Sequence, residues 1–172
     1  MSKDIKPYQP DTEAVRIRIP RTDQMEHASP MFLTSSFCFD NAEEMRATFA
    51  DETDFNIYSR FSNPNVDEFV QKMCALEGGE AGYATASGMS AIFASFMALL
   101  KTGDHLLSAR SIFGSTHTVV TKFLPKWGIE SSYFDLNDTA SIEAMIKPNT
   151  RMIFVETPSN PGLEIIDLEV LA

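Results

Sequence analysis

The residues best placed to do chemistry lie in Ala84-Thr85-Ala86-Ser87-Gly88-Met89-Ser90-Ala91. Small residues run into an almost unbroken apolar stretch over 91–100, which reads as a strand end, a tight turn and a helix start covered on most sides. The first N–H groups of a helix have no intrahelical acceptor, and the aligned peptide dipoles add partial positive charge there. Gly88 has no Cβ to hold a ligand off the backbone, and Ser87 offers a hydroxyl donor. Together they make a seat for a phosphate group. The competing reading is Ser87 as an ordinary N-cap.

Three other places carry chemistry-bearing side chains. Tyr58 and Arg60 stand two apart, on one face if the segment is extended. Arg60 suits a bidentate, charge-assisted contact to an oxyanion, or a surface ion pair, and Tyr58 offers a neutral O–H or a packing surface. Phe113 offers an aromatic face, or fills a core. Asn160 stands close to Pro158 and Pro161, after a strongly β-prone run, where open α/β sheets bind ligands.

The elements that must position these residues follow from periodicity and caps. A short helix is expected over 41–49, capped by Asp40 or Asn41. Asn63 caps a second helix with Pro64 at its first position and Gly78-Gly79 as its stop. Further on come a strand over 81–85, a helix over 89–100, and a strand over 105–108. A helix over 116–127, a strand over 129–134, a helix from Asp138 to about Ile146 and a strand over 152–156 complete the series. Alternating strands and helices imply crossovers and a mostly parallel sheet covered on both faces, a three-layer α/β/α arrangement. Residues 1–60 read as an extended arm and 61–172 as part of one major domain. Asp167 reads as the cap of a helix whose first turn ends the sequence.

Asn56-Ile57-Tyr58-Ser59-Arg60-Phe61-Ser62-Asn63-Pro64, the Ser87-Gly88-Met89 turn, Ser111-Ile112-Phe113-Gly114-Ser115-Thr116 and Glu156-Thr157-Pro158-Ser159-Asn160-Pro161 follow one another in order. With these motifs, from about Thr34 to Ala172, the chain resembles the Cys/Met-metabolism family of pyridoxal 5'-phosphate (PLP) enzymes, the γ-synthase, γ-lyase and homoserine sulfhydrylase group. The resemblance implies the fold-type-I, aspartate-aminotransferase-like major domain, incomplete here, and PLP as cofactor. It implies that Ser87, Gly88 and Met89 seat the phosphate, that Tyr58 and Arg60 reach the phosphate of a neighbouring subunit, and that Phe113 stacks on the ring. Phe113 stands where many members carry Tyr, so it keeps the stacking role without a titrating hydroxyl. Asn160 would hydrogen-bond the ring oxygen, with Glu156 orienting neighbouring groups or capping local amides. The Schiff-base lysine and the acid partner of the ring nitrogen would lie beyond Ala172, and family chains are about twice this length. The expectation is therefore the N-terminal portion of a longer enzyme, inactive alone, in a dimer-based and commonly tetrameric assembly. Its substrates would be O-acylhomoserine, succinyl preferred, and sulfide. A cystathionine γ-synthase, a methionine or cystathionine γ-lyase and a non-catalytic assembly module are the alternatives.

Composition bounds the remaining possibilities. The 172 residues carry a formal net charge of −10 and no Lys/Arg run, which disfavours nucleic acid and anionic membrane surfaces. Cys38 and Cys74 read as small buried hydrophobes of a reducing cytoplasm. His27, His105 and His117 have no metal-ligand spacing. Lys122 reads as part of a solvated helix face and not as a nucleophile.

Overall fold

The computed structural model describes residues 8–138 and 141–171. The chain divides into two compact units, Met1–Ala84 and Thr85–Ala172.

The first unit holds three helices, α1 (Pro10–Arg16), α2 (Ala42–Phe49) and α3 (Pro64–Glu77). The expected caps form. The Asn41 side chain accepts from the Glu44 N–H at the start of α2. The Asn63 side chain accepts from the Asn65 N–H, with Pro64 at the first helical position of α3. Gly78 ends α3 at φ 65°, a left-handed cap conformation that costs glycine nothing. Helix α1 lies within the stretch expected to be extended. Side chains tie the intervening segments to α3. Asn65 donates to the Pro30 carbonyl and accepts from the Phe32 N–H at 2.8 Å each. Glu68 accepts from the Ile19 N–H, the Ser29 hydroxyl and the Lys72 ammonium.

The second unit contains a three-stranded parallel sheet in the order β2-β1-β3, with β1 His105–Ala109, β2 Glu130–Phe134 and β3 Thr150–Phe154. Helices α4 (Gly88–Leu99), α5 (Gly114–Thr118) and α6 (Ile142–Met145) accompany it. Strand β1 is buried along its whole length, as the centre of a parallel sheet requires. Its Leu106 and Leu107 form one core cluster with Val120, Leu124 and Phe134, and the Phe96 ring of α4 meets Phe154 edge-on at 5.1 Å.

Several expectations are corrected. No strand forms over 81–85. Ala81, Gly82, Tyr83 and Thr85 are exposed and pair with no strand among the described residues, and a strand without a ladder partner has nothing to stabilise it. Helix α4 is not covered on most sides, for only Phe96 and Leu100 at its end are fully buried while Phe93, Met97 and Leu99 stay exposed. The expected helix over 116–127 starts earlier, at Gly114, then passes through a π-helical turn, Val119–Phe123, into a 3-10 turn, Leu124–Trp127. Pro125 lacks the N–H that a continuous ladder needs. Strand β3 begins and ends two residues before its expected bounds. The helix capped by Asp138 was expected to cover 139 and 140, which lie outside the described residues; the helical turn found is Ile142–Met145. Cys38 is exposed and Cys74 half-buried, so neither is a buried hydrophobe. Asp167 does cap a helical turn, a 3-10 turn over Leu168–Val170, by accepting from the Glu169 N–H.

Candidate functional site

Helix α4 begins where the sequence places a phosphate seat. Ser87 is its N-cap, and its Oγ accepts from the Ser90 N–H at 3.1 Å. The Ser87 hydroxyl points its own proton at Ser90 Oγ, 3.0 Å away, so the capping reading of Ser87 is realised. The Ala91 N–H goes to the Ser87 carbonyl. The N–H groups of Gly88 and Met89 are left without an acceptor among the described residues. A Cβ placed on Gly88 would meet nothing within 4 Å, so the approach to those two donors is open. Two free donors, a helix dipole and an unobstructed backbone fit a phosphate. The residues present therefore suit the phosphate end of PLP.

The loop after β1 and the first turn of α5 bring further groups to this end of the sheet. Phe113 is 43% exposed, so its ring is presented outward and is not core. Its N–H donates to Glu156 Oε2 at 2.9 Å. The fully buried Thr116 donates to the other carboxylate oxygen of Glu156 at 3.2 Å and lies 4.0 Å from Met89 Sδ. Met89, Phe113, Thr116 and Glu156 are thus linked, although they come from α4, α5 and the segment after β3. Asn160 is exposed in that same segment, four residues past Glu156. Its neighbour Ser159 is buried and holds the turn, accepting from the Glu164 N–H at 3.0 Å through Oγ and from the Leu163 N–H at 2.9 Å through its carbonyl. Thr116 has no role in the sequence reading. Its signal there is a hydroxyl three positions after the aromatic, at the first turn of a helix.

Tyr58 and Arg60 belong to the other unit. Their segment is not extended as expected. Tyr58 forms an isolated antiparallel bridge with Ser36, and its carbonyl then accepts from Phe61 N–H at 2.8 Å and Ser62 N–H at 3.1 Å, which makes a turn. The turn still brings the two side chains together, with the Arg60 guanidinium 5.0 Å from the Tyr58 ring centroid. Arg60 is exposed and makes no ion pair among the described residues, so the expected alternative of a surface salt bridge is not found. Elsewhere, no group of three metal-ligating side chains exists among the described residues, and no helix there is long and apolar enough to cross a membrane.

A parallel α/β sheet with two free amides at a helix start, an exposed aromatic after β1 and an Asn-bearing turn after β3 fits a phosphate-cofactor domain of the α/β class. The sequence pattern of the Cys/Met metabolism PLP-dependent enzymes matches residues 11–172, and the chain belongs to that family. An O-succinylhomoserine sulfhydrylase of Pseudomonas aeruginosa is 48% identical over 162 residues, covering 94% of this chain and 40% of that protein. An L-methionine gamma-lyase of Porphyromonas gingivalis is 37% identical over 144 residues, covering 84% and 36%. Among solved structures, a putative O-acetylhomoserine (thiol)-lyase from Campylobacter jejuni, carrying N'-pyridoxyl-lysine-5'-monophosphate, superposes with TM-score 0.88 at 34% identity, covering 96% of this chain and 41% of that one. The chain spans about two fifths of the length of these relatives.

Proposed function

We propose that this chain is the N-terminal portion of a cytoplasmic PLP-dependent sulfhydrylase that makes homocysteine from O-succinylhomoserine and sulfide. The observation that carries the reading is the pair of free N–H groups on Gly88 and Met89 at an unobstructed helix start. The 48% identity to the O-succinylhomoserine sulfhydrylase favours this branch over the γ-lyases, which match at lower identity. When bound, PLP supplies the electron sink for γ-replacement.

The chain's own residues would do the binding. The Gly88 and Met89 amides would hold the phosphate dianion, and the exposed Phe113 ring would cover one face of the pyridine. Asn160 would take the ring oxygen. Ser87 contributes by fixing the turn, since its hydroxyl is already committed to Ser90. Arg60, unpaired and exposed beside Tyr58, would serve the phosphate of a second copy in a dimer-based homo-oligomer. We place the lysine that holds the cofactor outside the 172 residues, so this portion alone is expected to be inactive.

The test is an assay of the full-length protein with O-succinylhomoserine or O-acetylhomoserine, each with sulfide. Homocysteine formed faster from the succinyl ester supports the proposal. Release of a thiol from methionine, with no homocysteine from either ester, would move the protein to the γ-lyases and overturn it.

A further inference from the structure

We infer that Glu156 is the positioning residue for the Phe113 ring and couples that ring to the start of α4. The inference rests on the reading above for the identity of the ligand, but its geometry belongs to the chain itself. Glu156 lies two residues past β3, and Phe113 four residues past β1. The parallel pairing of these strands sets their ends side by side, which lets one carboxylate reach residues 43 and 40 positions away.

The two oxygens divide the work. Oε2 takes the Phe113 N–H at 2.9 Å, and Oε1 takes the Thr116 hydroxyl at 3.2 Å. Both bonds are to an anionic acceptor. Holding the N–H of the aromatic residue fixes the backbone from which its ring projects. Phe113 is 43% exposed, so little packing opposes a change of ring direction, and the backbone anchor decides it. Thr116 has a single proton and gives it to the carboxylate, the stronger acceptor. Its contact with Met89 Sδ at 4.0 Å is then one of packing. Thr116 is fully buried and cannot shift without disturbing Met89, whose N–H is half of the phosphate seat. A movement of Glu156 therefore reaches both ends of the site.

The experiment compares Glu156→Ala, Glu156→Gln, Thr116→Val and Phe113→Ala in the full-length holoenzyme. Three quantities are read: the visible circular dichroism of bound PLP, the dissociation constants of PLP and of inorganic phosphate, and hydrogen exchange at the residue 113 amide. Glu156→Ala is expected to weaken PLP on the order of tenfold, consistent with loss of two charge-assisted bonds behind the ring, and inorganic phosphate by a smaller factor of about threefold through the Thr116–Met89 contact. It should also diminish the dichroic band and speed exchange at residue 113. Glu156→Gln should restore most of each, because its amide oxygen still accepts from Phe113 and its NH2 donates to Thr116 Oγ1. If Glu156→Ala does not fold, Thr116→Val removes one of the two donors and is read in the same way. Wild-type dichroism and exchange in the Ala or Val variant, or a Gln variant as impaired as the Ala variant, would overturn the inference. Phe113→Ala separates the two failures. If it leaves the band unchanged, the placement of the ring against PLP is wrong; if it abolishes the band while Glu156→Ala does not, only the role of Glu156 is wrong.

Discussion

Every fully buried apolar side chain among the described residues lies in Thr85–Ala172, from Phe96 to Ile166, whereas the fully buried side chains of Met1–Ala84 are Thr48 and Asn63. Large apolar groups of the first unit, such as Phe49, Phe61 and Phe69, are more than half exposed. The two units are therefore held by different forces. The second has a sheet and an apolar core, whose stabilisation is non-directional and proportional to area removed from water. The first is a set of segments joined by directional bonds from Asn63, Asn65 and Glu68 to hydroxyls and main-chain groups. Loss of one such bond is felt locally, and protonation can break several at once. The Gly88–Met89 amides and the Phe113 ring are carried by the unit with the core, which holds their geometry fixed. Tyr58 and Arg60 are carried by the unit without one.

The contrast is broken most directly by truncating one phenylalanine in each unit. Phe96 is fully buried against Phe154, and Phe96→Ala is expected to cost about 3–5 kcal/mol. Phe69 is 55% exposed, and Phe69→Ala should stay within about 0.5 kcal/mol. Urea denaturation followed by the fluorescence of Trp127, the single tryptophan and a residue of the second unit, reads the first change. Amide exchange along α3 reads the second. Equal losses would mean that the first unit has a core of its own.

Acidification sharpens the same contrast, because His105 in the second unit and Glu68 in the first both resist protonation in the folded state but in different pH windows. His105 is fully buried in the centre of the sheet, and burial, aided by the Lys147 charge and opposed by that of Glu130, lowers its pKa. His105 Nδ1 is hydrogen-bonded with Thr150 Oγ1 at 2.8 Å and Nε2 with Ser132 Oγ at 2.9 Å, so both ring nitrogens have partners inside the sheet. The unfolded chain binds a proton near pH 6.5 that the folded imidazole refuses, so the second unit loses stability as pH falls below about 6.5. Glu68 has the same sign of linkage in a lower pH window and for a different reason, because its charged form is the one that is hydrogen-bonded. The Lys72 and Ser29 bonds hold its carboxyl at about 2, below the ordinary 4.5. Its contribution is complete above about pH 4.5 and is lost as pH falls from there toward 2. Exchange measured against pH should show protection lost first in β1 and later in α3. Glu68→Gln should remove the lower step and His105→Gln the upper one. A single step shared by both units would contradict the assignment.

How much of this was legible in the sequence depended on whether the signal was local. The Asn41 and Asn63 caps, Pro64 and Gly78 are decided within one turn of chain, and each forms as read. Strands β1 and β2 fall within a residue of their expected ends. The failures are non-local. The 81–85 segment has an extended pattern but no partner, and pairing cannot be read from one strand. The apolar α4 suggested full cover, yet its composition says nothing of what lies against Phe93 or Leu99. The open backbone at Gly88 is legible from the residue type, while the exposure of Phe113 is not, since an aromatic reads equally as core. The Glu156 link to Phe113 and Thr116 spans some forty residues and needs the β1–β3 pairing to exist. The turn at Tyr58 follows a bridge to Ser36, 22 residues away, and that pairing cannot be read from the 56–62 segment alone.

A finer test asks whether one side chain holds the first unit by its cap or by its tether. Asn63 Oδ1 caps α3 through the Asn65 N–H at 2.9 Å, while Nδ2 donates to the Phe32 carbonyl at 3.1 Å and to Ser59 Oγ at 3.0 Å. Asn63→Ala removes all three and should cost about 1 kcal/mol for the cap, with more from the Phe32 carbonyl if water does not replace the donor. Asn63→Asp keeps the capping oxygen and gains favourable interaction with the helix dipole, but it loses both donors. If the tether matters, Asn63→Asp should leave exchange protection along α3 intact and raise exchange in residues 33–37, which hold the strand-like bridge to Tyr58. If only the cap matters, the Asp variant should match the native protein at both places. The outcome decides whether the turn carrying Arg60 is ordered from α3 or orders itself, since Ser59, which donates to the Thr34 carbonyl, shares its hydroxyl with Asn63.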